Sequence, residues 1–284
     1  QVARTILKAH AKVWHFYNDR YRSQQLGKVG LVLNSDWAEP RTPTSSEEVR
    51  ASERYLQFML GWLAHPVFVN GDFPDILKAQ IQEVNQQCST TVAQLPLFTE
   101  EEKSWVKGTA DFFGLSHYTS RLVSAVTNGT CTPGHESIGN FSLHVDPLWP
   151  QTAASWIHVV PWGLRRLLEW VREECNNPPI YVTENGISER ADVDFSDTWR
   201  MHYHKSYLNE SLKAITLDNV DLRGYTAWKL MDNFEWAVGF AERSGVFHVN
   251  RTDPSLPRLP KASARFYSQL VSCNGFPDPA KGPH

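Results

Sequence analysis

The sequence lacks the features that would assign it to two large classes of protein. No apolar run approaches the roughly 20 residues that cross a membrane. The most apolar region, residues 58–69, is interrupted by Gly61, His65 and Pro66. With 28 basic and 31 acidic residues, the net charge of -3 provides no basic footprint for nucleic acid. We therefore expect neither a membrane span nor a nucleic-acid partner.

Cysteine is scarce, and no two cysteines form the C-x-x-C pattern of zinc and redox sites. The chain has four, at positions 88, 131, 175 and 273. His202 and His204 lie two positions apart on a predicted helix, so they point to different faces. We expect no metal site and no cofactor. The pairing of the cysteines stays open, because sequence alone does not give it.

The chain also begins without an initiator Met and without a signal-peptide pattern, since it opens QVARTILKAH. We expect a mature chain or a piece of a longer one. Four N-x-S/T sequons occur where chance gives about one or two; they lie at Asn128, Asn140, Asn209 and Asn250. Their excess favours a secretory route, with the protein outside the cell or at its surface as the ectodomain of a membrane-anchored protein.

Apolar periodicity predicts helices that alternate with short strands. An opening helix presents one apolar stripe, made of Val2, Ile6, Ala9, Val13 and Phe16. Capping signals at residues 45–48 and 99–102 begin further helices, and Pro66 is expected to end the one that starts at residue 45. More helices are predicted at 161–174, 196–217 and 261–272.

Four apolar segments are predicted to be strands, at residues 29–33, 111–118, 180–183 and 222–228. Residues 124–155 show no periodicity and are expected to form a long surface loop. Each strand ends in polar or aromatic side chains, which is typical of the functional end of a parallel (β/α)8 barrel. Only four of the eight strands are visible in the sequence.

Several motifs resemble those of the family-1 glycoside hydrolases. They include YVTENG at 181–186, GYTAWKLMDNFEWAVGFAERSG at 224–245 and SDWAEP at 35–40. The resemblance covers essentially all 284 residues. It implies one partial barrel domain over 1–284, an α/β (TIM) barrel of which only the C-terminal part, about strands five to eight, is present.

The resemblance also implies site residues and a substrate. Glu184 would be the nucleophile of a retaining β-glycosidase, similar to a β-glucosidase or lactase, that cleaves a β-glycoside or oligosaccharide. Tyr118 would orient it. Ser116, Trp228, Glu235 and Trp236 would bind the sugar. A carboxylate accepts hydroxyls and an indole covers the apolar face of a sugar ring, although buried Trp residues are often ordinary core.

The second carboxylate that such an enzyme needs is not matched in this sequence. The family carries its acid/base in a T-x-N-E-P segment after strand four, and the one Glu-Pro pair here is Glu39-Pro40. That pair matches a different family motif, after strand five. We therefore expect the acid/base, with the rest of the N-terminal half of the barrel, to lie before Gln1, and this chain alone to be inactive or strongly impaired.

Departures from the family pattern leave a second hypothesis open. The family has Asn at Ser116, Ser at Lys229 and Phe at Ser244. These changes favour a non-catalytic, klotho-like module that binds a partner as a co-receptor, whereas the presence of Glu184 favours an enzyme.

Overall fold

The computed structural model describes residues 1–89, 91–127, 131–192 and 194–277. Its elements up to residue 160 are α1 (Val2–Arg20), α2 (Arg22–Gln25), β1 (Leu31–Asn34), β2 (Trp37–Pro40), α3 (Ser46–Leu56), a π-helix (Gln57–Gly61), α4 (Trp62–Phe68), α5 (Asp75–Gln87), α6 (Glu100–Val106), β3 (Phe113–Ser116), β4 (Ser120–Ala125), α7 (His135–Gly139) and β5 (Phe141–His144). The later elements are α8 (Pro161–Glu174), β6 (Ile180–Asn185), β7 (Glu189–Arg190), α9 (Thr198–Asp218), β8 (Leu222–Ala227), a 3-10 turn (Trp236–Val238), β9 (Glu242–Arg243), β10 (Phe247–Val249), β11 (Arg258–Pro260) and α10 (Ala262–Cys273).

A parallel sheet in the order β1-β3-β6-β8 forms the centre of the fold. These are the four strands that the sequence predicts. Their apolar side chains join one contiguous buried cluster that extends from Ala3 to Val220. Each fully buried Leu, Ile or Phe contributes about 1.5–3 kcal/mol relative to an exposed one. Strands that alternate with helices in this way are expected for part of a (β/α)8 barrel.

Within the described residues, the two outer strands of this sheet each have one neighbour. β1 pairs with β3 and β8 pairs with β6. Val32 of β1 is 52% exposed. The four described strands of this sheet therefore form an open segment and not a closed barrel.

The opening helix is present, but the prediction of its buried face is wrong. The residues of α1 that pack inward are Ala3, Leu7 and Ala11, all less than 9% exposed. Four members of the predicted stripe are 48–72% exposed, namely Val2, Ile6, Val13 and Phe16. Small side chains at positions 3 and 11 allow the helix to approach the core closely, so tertiary contacts outweigh the larger apolar stripe.

Residues 124–155 are not a long loop, which corrects that prediction. β4 pairs in parallel with β2 and antiparallel with β5, and the three strands form a second sheet. Phe141 of β5 is buried between the rings of Tyr55 and Phe58, with ring centroids 5.5 and 6.2 Å apart. This sheet depends on pairing with a segment more than eighty positions earlier, which local periodicity does not reveal.

Local signals are more reliable at helix ends. The helix predicted at 161–174 is α8 with the same bounds. Thr99 and Glu102 form the complete capping box of α6. Pro66, however, lies inside α4 and does not end it, and a π-helical turn joins α3 to α4. In the described ranges no helix combines the length and apolarity needed to cross a membrane.

Candidate active site

The candidate site lies where β3 and β6 end. Glu184 is the fifth residue of β6 and is half-buried. Tyr118 follows β3 by two residues and is 8% exposed. The Tyr118 hydroxyl donates a 2.5 Å hydrogen bond to Oε2 of Glu184. Because the C-terminal ends of parallel strands meet at one edge of a sheet, two residues that are distant in sequence become neighbours.

The protonation of Tyr118 is fixed by its surroundings. Burial, together with the hydrogen bond to Glu184, raises the pKa of the Tyr118 phenol well above its usual value. Tyr118 therefore keeps its proton and acts as the donor to the Glu184 carboxylate.

A buried network holds the main chain beneath this pair. The Asn185 side-chain amide donates to the His117 carbonyl at 2.7 Å and to the Tyr203 hydroxyl at 2.9 Å. The hydroxyls of Tyr203 and Tyr207, whose rings stack 4.1 Å apart on α9, donate to the Tyr118 carbonyl at 3.0 and 3.2 Å. The sequence motif singles out Glu184, but the packing of α9 fixes where Tyr118 stands.

Residue 186, which follows Asn185 of this network, must be glycine. A Cβ built on Gly186 would lie 1.8 Å from the Trp228 carbonyl oxygen. The Trp228 amide also donates to the Asn185 carbonyl at 2.8 Å. The end of β6 and the end of β8 are thus in direct main-chain contact, which brings the Trp228 segment to the Glu184 site.

Glu184 and Tyr118 open onto a cavity of about 420 Å³. Trp228, Glu235 and Trp236 also line it, so five of the six catalytic or sugar-binding residues that the resemblance implies come together. Trp236 is 84% exposed, at a positive φ of 45°. Oε2 of Glu235 accepts hydrogen bonds from the Lys229 ammonium and, at 3.5 Å, from the Ser244 hydroxyl.

The sixth residue, Ser116, lies outside the set of described residues that line the cavity. It is 5% exposed, and its hydroxyl is 3.2 Å from the Thr183 hydroxyl. Glu39 lies elsewhere too, in β2, where it accepts from the Trp37 indole at 2.8 Å and pairs with Arg166. Glu39 is therefore absent from the described lining of the cavity onto which Glu184 opens.

The sequence did not single out several residues that shape the cavity. Trp156 lines it and contacts Tyr118 edge-on at 5.4 Å. Glu242 lines it with Ser188, whose hydroxyl donates to the Glu242 carboxylate at 2.5 Å. Trp156 and Ser188 come from loops and Glu242 from the two-residue strand β9, and no strand-end pattern in the sequence marks them.

Arg200 is another such residue. It is fully buried on α9 and donates to Glu189 at 2.7 Å and Asp197 at 3.2 Å. It also donates to the Ile187 carbonyl at 2.6 Å and the Ser244 carbonyl at 3.0 Å. Through these bonds it holds two cavity-lining loops in place.

The sequon asparagines and the cysteines are absent from the described lining of the cavity. Asn209 is exposed, and Asn140 and Asn250 are partly exposed, whereas Asn128 lies outside the described residues. Cys88 and Cys131 form a disulfide. All four cysteines belong to the described part of the chain, and Cys175 and Cys273 are free.

Known proteins resemble this chain over nearly its whole length. The sequence profile of the family described as "Glycosyl hydrolase family 1" matches residues 1–276. Rat lactase/phlorizin hydrolase is 52% identical over 279 residues, which are 98% of this chain and 14% of that protein. Human cytosolic beta-glucosidase is 41% identical over 97% of this chain and 58% of its own length. Mouse Klotho is 39% identical over 97% of this chain and 24% of its own length.

Solved structures show the same relationship. An aphid myrosinase superposes with a TM-score of 0.86 at 33% identity, covering 95% of this chain and 58% of that one. A rice beta-glucosidase mutant, solved in a covalent complex with Glc, gives 0.86 at 31% identity, covering 95% and 56%. The chain thus spans less than two thirds of the length of each of these relatives.

Proposed function

This chain belongs to glycosyl hydrolase family 1, and from that premise we propose that it carries the nucleophile of a retaining β-glycosidase. The observation that carries the proposal is the Tyr118 hydroxyl held 2.5 Å from Glu184 in a cavity at the C-terminal edge of the sheet. A rigidly held, hydrogen-bonded carboxylate at that edge suits attack on an anomeric carbon. The covalent complex of the rice relative is consistent with this chemistry.

In the proposed reaction, an Oε atom of Glu184 bonds to the anomeric carbon of a β-glycoside or oligosaccharide. The bond from that carbon to the leaving oxygen breaks with its electron pair, and the leaving oxygen takes a proton from the acid/base. A water molecule then attacks the same carbon and gives its proton to the acid/base, and Glu184 departs as a carboxylate. Configuration is retained because the carbon is inverted twice.

The acid/base is proposed to come from a part of the protein upstream of Gln1, namely the N-terminal half of the barrel. The other carboxylates at the cavity already have partners, because Glu235 pairs with Lys229 and Glu242 accepts from Ser188. Loss of general acid catalysis slows such reactions by about 10²–10⁴-fold. This chain alone is therefore proposed to hydrolyse glycosides very poorly.

Trp228, Glu235 and Trp236 are proposed to bind the sugar that is transferred. All three line the cavity on the segment that follows β8. The indoles would cover the apolar face of the sugar ring and the carboxylate would accept its hydroxyls. Ser116 remains a proposed contributor that would act through its neighbour Thr183, which shares a strand with Glu184.

A mechanism-based probe tests the nucleophile without the acid/base. With 2-deoxy-2-fluoro-β-D-glucosyl fluoride, attack by Glu184 expels fluoride, a leaving group that needs no proton. The fluorine at carbon 2 then slows hydrolysis, so the glycosyl-protein accumulates. We expect the native protein to gain one fluoroglucosyl group per chain, which peptide mapping should place on Glu184. The matched control Glu184→Gln should take up none.

The alternative function is a klotho-like binding module. The ion pair between Lys229 and Glu235 favours it, because one oxygen of the proposed sugar-binding carboxylate is already engaged. The native protein could be folded and contain an N-E-P segment upstream and still take up no label. That result would overturn the glycosidase proposal and favour the binding module.

A secretory location is also proposed. The disulfide between Cys88 and Cys131 and the partly or fully exposed sequons at Asn140, Asn209 and Asn250 support it. The similarity to a cytosolic beta-glucosidase supports the opposite location. Peptide N-glycosidase should lower the mass of the native protein, and an unchanged mass would contradict the secretory route.

A further inference from the structure

A buried lysine lies next to the proposed sugar-binding carboxylate. Lys229 follows β8 by two residues, and its side chain is 8% exposed. Its ammonium donates to Oε2 of Glu235 and to Oδ1 of Asn233, in two short contacts. The Lys229 amide donates to the Ser244 carbonyl at 3.0 Å, and its carbonyl accepts from the Val246 amide at 2.9 Å. The main chain thus fixes the lysine on both sides.

The lysine and the carboxylate face different surroundings. Glu235 lines the cavity that Glu184 opens onto, and its side chain is 25% exposed. Lys229 is absent from the described lining of that cavity and borders a separate surface depression with Asn233 and Arg251. A ligand in the cavity would therefore meet Glu235, while Lys229 would act on the ligand only through that carboxylate.

We propose that Lys229 is a positioning residue for Glu235, an inference that rests on the function proposed above. The ammonium holds Oε2 from outside the cavity, so that Oε1 is left to accept a sugar hydroxyl. It also neutralises the Glu235 charge, which would otherwise oppose the carboxylate of Glu184. The Lys229–Glu235 pair is therefore neutral overall and offers Oε1 of Glu235 as the acceptor for the sugar.

The neutralisation of the Glu235 charge by Lys229 is measurable because other titratable groups lie around Glu235. Lys229 contacts Glu235 from outside the cavity. The other titratable groups of the described cavity lining are Tyr118, which follows β3, Glu184 of β6 and Glu242 of β9. The Glu235 charge reaches this group of residues, because it is one of the contributions, after burial and Glu184, that raise the pKa of Tyr118. If Lys229 is removed, an uncompensated negative charge acts on the Tyr118–Glu184 pair, and like charges disfavour ionisation.

The test uses the native protein and the fluoroglucosyl fluoride probe, with labelling rates measured against probe concentration and pH. In Lys229→Met we expect half-maximal labelling to need about tenfold more probe, since one charge-assisted contact that orients the acceptor is lost. The acid limb of the labelling rate should move to higher pH. Lys229→Arg, which keeps the charge, should restore most of both.

A second background separates positioning from a general structural role. In Glu235→Gln there is no carboxylate for Lys229 to orient, so adding Lys229→Met should leave the probe concentration for half-maximal labelling unchanged. Glu235→Gln alone leaves the ammonium unpaired and should move the acid limb to lower pH, which keeps the test available if Lys229→Met does not fold.

The outcomes distinguish the two proposals. If wild-type protein is labelled on Glu184 and Lys229→Met shows the same probe dependence and pH profile, this inference is overturned and the proposed function stands. An equal rise in the half-maximal probe concentration when Lys229→Met is added to Glu235→Gln also overturns it. Wild-type protein that takes up no label overturns the proposed function, and the inference falls with it.

Discussion

Tyr118 donates a 2.5 Å hydrogen bond to Glu184 although 66 positions separate the two residues in the chain. The bond joins the ends of two adjacent parallel strands, and their register pairs Ser116 with Glu184. Tyr203 and Tyr207 of α9 hold the Tyr118 carbonyl from below. The geometry of the proposed nucleophile therefore depends on how a helix packs against the sheet.

The first prediction concerns this bond. Tyr118→Phe removes one donor to a charged acceptor, and such a bond contributes about 1.5–3 kcal/mol. If it favours the reactive carboxylate, labelling by fluoroglucosyl fluoride should slow on the order of 10- to 100-fold. Tyr55→Phe is the matched control, since Tyr55 is buried against Phe141 away from the cavity. Equal labelling rates in the two variants would show that the bond does not activate Glu184.

A second prediction concerns Arg200 and the loops that it holds. Arg200→Met leaves the buried carboxylates of Glu189 and Asp197 without their cation. Breaking a buried pair in this way costs about 3–5 kcal/mol, so the urea midpoint should fall steeply. Arg190→Met serves as the control, because Arg190 and its partner Asp192 are 79% and 72% exposed, and its midpoint should stay unchanged. Similar midpoints for both variants would contradict a stabilising role for Arg200.

The third prediction is a pH dependence of stability. His117 is fully buried, with Nδ1 3.0 Å from the Ser35 carbonyl oxygen, and burial lowers the pKa of its imidazole to about 4. An unfolded histidine has a pKa of about 6.5. Between these values the unfolded chain binds a proton that the folded chain excludes. The free energy of unfolding should therefore decrease as pH falls from about 6.5 to about 4, by about 3 kcal/mol from this residue.

His117→Asn tests this, because the Asn amide can still donate to the Ser35 carbonyl. The variant should lose less stability than the wild type between neutral pH and pH about 4. His202→Asn, on the exposed side of α9, should follow the wild type. Parallel stability curves for wild type and His117→Asn would mean that His117 does not titrate as its burial implies.

The disulfide gives the fourth prediction. Cys88 and Cys131 close a loop with a sequence separation of 43. Loop-closure entropy for that length corresponds to about 4 kcal/mol, so Cys88→Ser with Cys131→Ser should lower the melting temperature by several degrees. Reductant should do the same to the wild type and nothing to the double variant. Cys273→Ser, which removes a free cysteine, should melt like the wild type.

Much of this protein follows from local sequence. The bounds of α8, the capping box of α6 and the apolar cores of four strands are set by side chains within one turn or one strand of each other. The motif that ends in Asn185-Gly186 marks a strand end, and Gly186 is required because the Trp228 carbonyl comes so close. The six catalytic or sugar-binding residues were implied by the family resemblance and not by local pattern, and five of them line the cavity.

Other features are decided by contacts between segments far apart in the chain. The buried face of α1 is the one with small residues, because close approach to the core matters more there than apolar area on the helix. β4 and β5 exist as strands because β2 offers a free edge. In the sequence, Lys229 is recognisable only as a departure from the family pattern. The fold places its ammonium on Glu235, because main-chain hydrogen bonds to residues 244–246 fix the segment that carries Lys229. Sequence therefore determined which groups this protein carries, and tertiary packing decided which of them meet.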